Sequence, residues 1–266
     1  PGNAVLQQFE KENGYEDRLT IIAEPYYLWA IEGDEQAREI LSFYQTGKRV
    51  IIQPDIFQYR ELKLRLLNGT HTFSCGLALL KGFKIVREAM ADKQFENFVS
   101  QLMINEIAPV IEGNIPTKEK EEFINAVIDR FRNPFINHQW INITLNYTAK
   151  MKMRNLPLLL NYYQKFNKVP VNMVLGFAAY LVFMRPVKKT GNDFYGILNG
   201  EGYLIADEHA SFFMQTWQNN AVADAIAAIL NNNDLWGTDL LALPGFGENV
   251  AKAFFELTAE NNIIVL

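Results

Sequence analysis

The sequence predicts a mainly α protein, α+β overall, in which a short α/β segment leads into a long helical body. Three observations carry that prediction. Short β-branched and aromatic runs broken by Pro and Gly crowd the N-terminal part. From about Asp55 onward apolar residues recur at i, i+3 and i+4. Of the 266 residues 49% are apolar and 13% aromatic, enough to bury a sizeable core and too many for disorder.

"RLTIIA" (18–23) and "YYLWAI" (26–31) read as short strands, with Glu24-Pro25 as punctuation between them. "DEQAREIL" (34–41) has helical spacing and "RVIIQ" (49–53) reads as another strand, which makes residues 1–54 one unit. Asp55 is a good N-cap for a helix through Lys63 and His71 to about Ala89. Helices follow at 92–112 and 117–132. Asn133-Pro134 reads as a helix start that runs through "FINHQWINITLNYTAKMKMRNL", and Pro157 and Pro170 open two more. The stretch "KKTGNDFYGILNGEGY" (188–203), with four glycines, reads as a loop. Helices near 207–218, 221–230 and 245–257 complete a helical unit over 55–266.

Charge and composition exclude several function classes. A net charge of −5 without a basic stripe makes nucleic acid a poor partner. The run "VPVNMVLGFAAYLVFM" contains Asn172 and is short for a bilayer, so it reads as a buried core helix and no membrane span is expected. The single cysteine, Cys75, allows no disulfide within the chain and suits the cytoplasm. The chain opens "PGNAVLQQF", without an initiator Met or a signal-peptide pattern, so a piece of a longer protein is expected.

The stretch "KLRLLNGTHTF" stands out because an Asn-Gly pair interrupts good helix formers. On an α-helix of ~100° per residue, Asn68 lies at roughly 140° and His71 at roughly 80° from Lys63, within one arc. A lysine whose pKa is lowered by burial exchanges protons near neutrality. An Asn amide donates to an oxygen on which charge develops, and a histidine holds a neighbouring hydroxyl or orients the lysine. Gly69 lets a ligand or another backbone come close. The same residues also fit an ordinary helix, with a solvated lysine and a satisfied core histidine, so chemistry alone leaves both readings open.

Lys-x4-Asn-x2-His in "KLRLLNGTH" resembles the signature of the polyol-specific long-chain dehydrogenase/reductase (mannitol dehydrogenase) family. "IAEPYYLWAIEG", "GFKIVREAMAD", "DRFRNPFINHQ" and "LWGTDLLALPG" resemble further segments of that family, so the likeness covers most of the chain. "NGTHT", "RFRNPFINHQWINITLNYTAK" and "LWGTDL" are most similar to the branch that interconverts D-tagaturonate and D-altronate with NADH. The branches acting on fructuronate, mannitol or mannitol 1-phosphate are the runners-up.

The resemblance implies a multi-helical domain like the C-terminal domain of 6-phosphogluconate dehydrogenase, preceded by the end of a Rossmann-type nucleotide-binding domain. It implies Lys63 as general acid and base, Asn68 in an oxyanion hole and His71 bound to substrate and placing Lys63. Arg130 matches a family arginine that contacts substrate hydroxyls, and His138 stands where mannitol dehydrogenases carry a lysine near the substrate. Members of this kind work without a catalytic metal, and His71, His138 and His209 lack a ligand spacing.

The carboxylate of a sugar acid needs a cation. Arg130, Arg132, Lys150, Lys152 and Arg154 are available, with Arg130 the preferred one and "KMKMR" read as a solvated face. No G-x-G-x-x-G stands between a strand and a helix, and neither "LPGFGENV" nor "GILNGEGY" replaces it. NAD is therefore expected to be bound mainly by a domain outside this chain, leaving the chain inactive alone. The reading from a different class is a helical interaction module with no chemistry.

Overall fold

The structure, a computed structural model, describes residues 3–20, 27–47, 49–198 and 200–260. The chain divides into two compact units, Pro1–Ile56 and Phe57–Leu266.

In the first unit, α1 (Asn3–Asn13) precedes a β-α-β arrangement of β1 (Trp29–Glu32), α2 (Glu35–Ile40) and β2 (Val50–Gln53). The strands pair in parallel with Trp29 opposite Val50 and Glu32 opposite Gln53. Asp34 caps α2 by accepting from Ala37 N, and Arg38 Nε donates to Ile52 O at 2.9 Å, tying helix to strand. Of the expected strand at 18–23, Arg18–Thr20 form a turn and the rest lies outside the described residues, as do Glu24 and Pro25.

The second unit opens with a rod made of α3 (Phe57–Glu61), a π-helical stretch π1 (Leu62–Gly69) and α4 (Thr70–Leu80). It stops at Leu80, not Ala89. Gly82 takes φ +84°, Phe83 N reaches back to Ala78 O, and α5 (Val86–Ala91) starts afresh. Asp92 then caps α6 (Lys93–Gln101), which continues as π2 (Leu102–Ile107) and a short 3-10 turn, and α7 (Thr117–Phe131) follows as expected.

Asn133-Pro134 does not start a helix. The Asn133 carboxamide oxygen accepts from Phe135 N, and the chain runs extended far enough for Gln139 to bridge Ile85. Helix resumes only as α8 (Trp140–Ile143), a left-handed Asn146, and the continuous series α9 (Tyr147–Lys150), π3 (Met151–Asn155) and α10 (Leu156–Phe166). Pro157 therefore lies inside a helix rather than opening one.

Pro170 does open α11 (Val171–Phe183), the buried core helix read from the sequence. Buried Glu106 caps it by accepting from Asn172 N and Met173 N at 2.8 and 2.7 Å. α11 crosses α4 where both carry glycine: a Cβ on Gly176 would stand 2.7 Å from Phe73 O, and one on Gly76 2.9 Å from Ala179 O. Among the described residues no helix is long and apolar enough to cross a membrane.

The expected loop at 188–203 is a three-stranded antiparallel sheet, β3 (Lys188–Thr190), β4 (Asp193–Leu198) and β5 (Glu201–Leu204). Its glycines have distinct uses. Gly191 and Gly200 take positive φ in the two-residue connections, while Gly196 leaves room for the Tyr203 ring across the pair. Tyr203 in turn donates to Phe183 O at 2.7 Å and fixes the sheet on α11. α12 (Ala210–Asn219), α13 (Val222–Leu230), α14 (Asn233–Trp236) and α15 (Phe246–Glu260) end the described chain.

Candidate active site

The rod that begins the helical unit carries Lys63 and Asn68 on π1 and His71 at the start of α4. A π-helix bonds i to i+5, so each residue turns through a smaller angle than on an α-helix. Over the residues of π1 this rotates Asn68 and His71 back toward the azimuth of Lys63, tightening an arc that α geometry leaves open. Along that face exposure falls in order: Lys63 exposed, Asn68 half-buried, His71 buried. The face therefore descends from solvent into the body. No hydrogen bond joins Lys63 to Asn68 or His71 among the described residues, and Lys63 is not buried by them, contrary to the requirement set from its chemistry.

Gly69 serves a different purpose from ligand approach. A Cβ there would stand 3.1 Å from the Asn155 side-chain oxygen and 3.5 Å from Leu158 Cδ1, so it is the neighbouring helix that comes close. The pairing of π1 with π3 is fixed by Arg65, four residues before Gly69, which reaches the same neighbouring helix. Its Nε meets Glu61 at 2.9 Å, and its Nη1 donates to Met153 O at 2.9 Å and Arg154 O at 2.8 Å. Pro157 has no N–H to give the Met153 carbonyl four residues earlier, and Arg65 supplies the donor instead.

His71 gathers the other expected residues. Its ring stacks on Phe131 at 4.1 Å and meets His138 edge-on at 5.1 Å and Trp140 at 5.9 Å. Burial holds its pKa well below 6.5, and the charges of His138, Arg130 and Arg154 add to that effect. It is therefore neutral at pH 7. Its Nε2 is buried without a hydrogen-bond partner among the described residues, an unmet demand at the floor of the site.

Arg130, in the last turn of α7, is half-buried, and His138 is exposed on the extended segment before α8. Lys63, His71 and these two were expected in one site, and His71, Arg130 and His138 are brought together.

Reading "KMKMR" as a solvated face missed Arg154. Lys152 is exposed, but Arg154 is half-buried and its Nη1 donates to Thr72 Oγ1 at 3.1 Å. The Thr72 hydroxyl donates in turn to Asn68 O at 2.7 Å. Lys150, a turn before Arg154, donates to Ile143 O at 2.8 Å. Burial lowers the pKa of both Arg154 and Lys150. The available signal was the i, i+4 spacing of Lys150 and Arg154, which share a face that Lys152 does not.

The described residues offer no cradle for a dinucleotide. The β1–α2 turn has one glycine, Gly33, whose absent Cβ leaves space already filled by Ala37 at 2.7 Å and Ile52 at 3.3 Å. The α2 N-terminus is capped by Asp34 and followed by Glu35, which repel a pyrophosphate. Nor does any group of three or more His, Cys, Asp or Glu among the described residues have the arrangement of a metal site.

The family model described as the mannitol dehydrogenase C-terminal domain matches residues 55–258. The chain belongs to the mannitol dehydrogenase family. It is 34% identical over 247 residues to the altronate oxidoreductase of Halalkalibacterium halodurans, covering 90% of this chain and 48% of that protein. It is 32% identical over 250 residues to that of Bacillus subtilis, covering 92% and 48%. The chain thus spans about half the length of the curated relatives it matches. Two solved structures share the fold. Pseudomonas fluorescens mannitol 2-dehydrogenase, in a ternary complex with NAD and D-mannitol, matches with TM-score 0.74 at 23% identity, over 98% of this chain and 50% of that one. A substrate-free D-sorbitol dehydrogenase matches with TM-score 0.66 at 15% identity, over the same shares, 98% and 50%.

Proposed function

We propose that this chain is the substrate-binding and proton-transferring part of an NAD-dependent reductase that interconverts D-tagaturonate and D-altronate. The observation that carries the reading is the descending face of Lys63, Asn68 and His71, which ends beside Arg130, Arg154 and His138. The electrostatic influences on His71 come from His138, Arg130 and Arg154, with no carboxylate among them. Such a basin, in a chain of net charge −5, suits an anionic sugar acid. The altronate oxidoreductase relatives supply the substrate within that class.

In this reading the Asn68 side-chain amide donates to the substrate carbonyl oxygen as negative charge develops on it. Lys63 Nζ delivers the proton that turns this oxygen into the product hydroxyl, and takes it back in the oxidative direction. Neutral His71 offers its unpartnered nitrogen to a substrate hydroxyl, and Arg130 and His138 hold further hydroxyls at the rim. Carbonyl polarisation and proton delivery are both supplied by side chains, so the reading includes no metal. The described residues do not fit NAD, so its binding is assigned mainly to protein outside this chain, as is the rest of a cytoplasmic enzyme.

The test is NADH oxidation by the complete natural protein with D-tagaturonate, D-fructuronate and D-fructose in parallel. The reading expects the highest kcat/KM with D-tagaturonate. A higher value with D-fructuronate or D-fructose moves the substrate within the family. No turnover with any of the three removes the reading.

A further inference from the structure

Arg154 is placed as a ligand-binding arginine rather than a structural one. Arg65, Arg38 and Arg132 each meet a carboxylate, on Glu61, Glu35 and Glu96 respectively. Arg154 is half-buried and meets none among the described residues. A guanidinium drawn out of water without a counter-ion costs free energy, and a fold that keeps one there has an anion to bring to it. Burial lowers its pKa, in keeping with that cost.

Its position is set from both ends. At the backbone, its carbonyl is held by Arg65 at 2.8 Å, and Arg65 is locked by Glu61. At the tip, one of its five N–H groups is used on Thr72 Oγ1, leaving the rest of the planar fork for a ligand. Thr72 lies one helical turn past Asn68, about 6 Å along the rod. That is on the order of the span from the carbonyl of a six-carbon sugar acid to the carboxylate at the far end of its carbon chain. The guanidinium also bears electrostatically on His71, and through the Thr72 hydroxyl it is linked to the Asn68 carbonyl, so it lies on the Asn68 and His71 stretch of the rod.

We infer that Arg154 is the specificity-determining residue of this site, binding the substrate carboxylate through its guanidinium while Lys63 and Asn68 engage the carbonyl. The inference rests on the sugar-acid reading above and goes beyond it by assigning the carboxylate to Arg154 instead of Arg130. Neutral ketoses and hexitols, which lack that carboxylate, leave the guanidinium unpaired and bind weakly.

The experiment uses the complete protein with Arg154→Gln, Arg154→Lys and Arg130→Gln. It reads kcat and KM for D-tagaturonate, kcat/KM for the neutral ketose D-tagatose, and the thermal midpoint. Arg154→Gln is expected to raise KM for D-tagaturonate about 100-fold, the scale of a lost charge-assisted pair. It leaves kcat for D-tagaturonate within about 3-fold and kcat/KM for D-tagatose undiminished or raised, because no guanidinium is then left unpaired. Arg154→Lys recovers part of the loss, since a point charge replaces the fork.

Equal losses on both substrates, a fall in kcat with KM unchanged, or a larger uronate-specific loss in Arg130→Gln overturn the assignment. If Arg154→Gln does not fold, Arg154→Lys decides: a rise in KM for D-tagaturonate of about 10-fold supports the inference, and an unchanged KM overturns it. Wild-type protein that turns over no ketohexuronate removes both the sugar-acid reading and this inference. Active wild-type protein with an indifferent Arg154→Gln removes the inference alone.

Discussion

Replacing Arg65 with methionine removes the guanidinium that joins π1 to π3. Arg65 and Glu61 are 8% and 5% exposed and paired at 2.9 Å, so the variant leaves a buried carboxylate without its partner. Removing one member of a buried ion pair costs about 3–5 kcal/mol. The Met153 and Arg154 carbonyls also lose the hydrogen bonds from Arg65 Nη1. These losses overlap rather than add, so a total near 4 kcal/mol is expected, a large share of the ~5–15 kcal/mol that holds a protein folded. Urea denaturation at pH 7 reads it as a shift in midpoint at constant slope. The double variant Glu61→Leu/Arg65→Met removes both charges and is expected to recover about half of the loss, because no buried carboxylate is left alone while the two hydrogen bonds from Arg65 stay lost. A loss below about 1 kcal/mol in Arg65→Met, or no recovery in the double variant, refutes the idea that this pair clamps the two π stretches.

Two further outcomes follow from the packing and electrostatics. His71 has a depressed folded-state pKa, so the unfolded chain takes up the proton first as pH falls below about 6.5. Its contribution to stability is full above that pH and is lost below it, by up to ~1.4 kcal/mol per pH unit. His71→Phe, which keeps the stack on Phe131, should flatten the stability profile between pH 5 and 6.5, and an unchanged slope contradicts the reading. Gly176→Ala gains ~1 kcal/mol of helix propensity but drives a Cβ to 2.7 Å from Phe73 O, a backbone atom that cannot swing aside. A net destabilisation of about 1–2 kcal/mol is expected, and a stabilised variant refutes the close crossing of α4 and α11.

Long-period patterns in the sequence were legible because one residue type at one position decided them. Pro170 opened α11, and the apolar run after it is buried from Gly176 to Phe183. Features that depended on a distant partner were not legible. Asn133-Pro134 has the chemistry of a helix start, but pairing of Gln139 with Ile85 draws the chain out instead. Four glycines spoke for a loop between 188 and 203, yet Gly196 is there because Tyr203 covers it from the next strand. Gly82 is a stop signal within the sequence itself, passed over because apolar spacing resumes beyond it.

The candidate site divides in the same way. The Lys63, Asn68 and His71 triplet was visible through its spacing and resemblance, whereas its π-helical turn was not, since no local residue demands one. Arg154 was hidden because its direction depends on π3, on the proline that follows and on Arg65 from another helix.

The most direct test of the central claim is single-turnover reduction of D-tagaturonate by the complete protein carrying Lys63→Ala. If Lys63 transfers the proton, the rate at pH 7 falls by about 10²–10⁴-fold while the substrate Kd changes by less than about 3-fold. A Lys63→Ala protein that turns over at the wild-type rate contradicts it, and Lys63, Asn68 and His71 are then ordinary residues of a helical module.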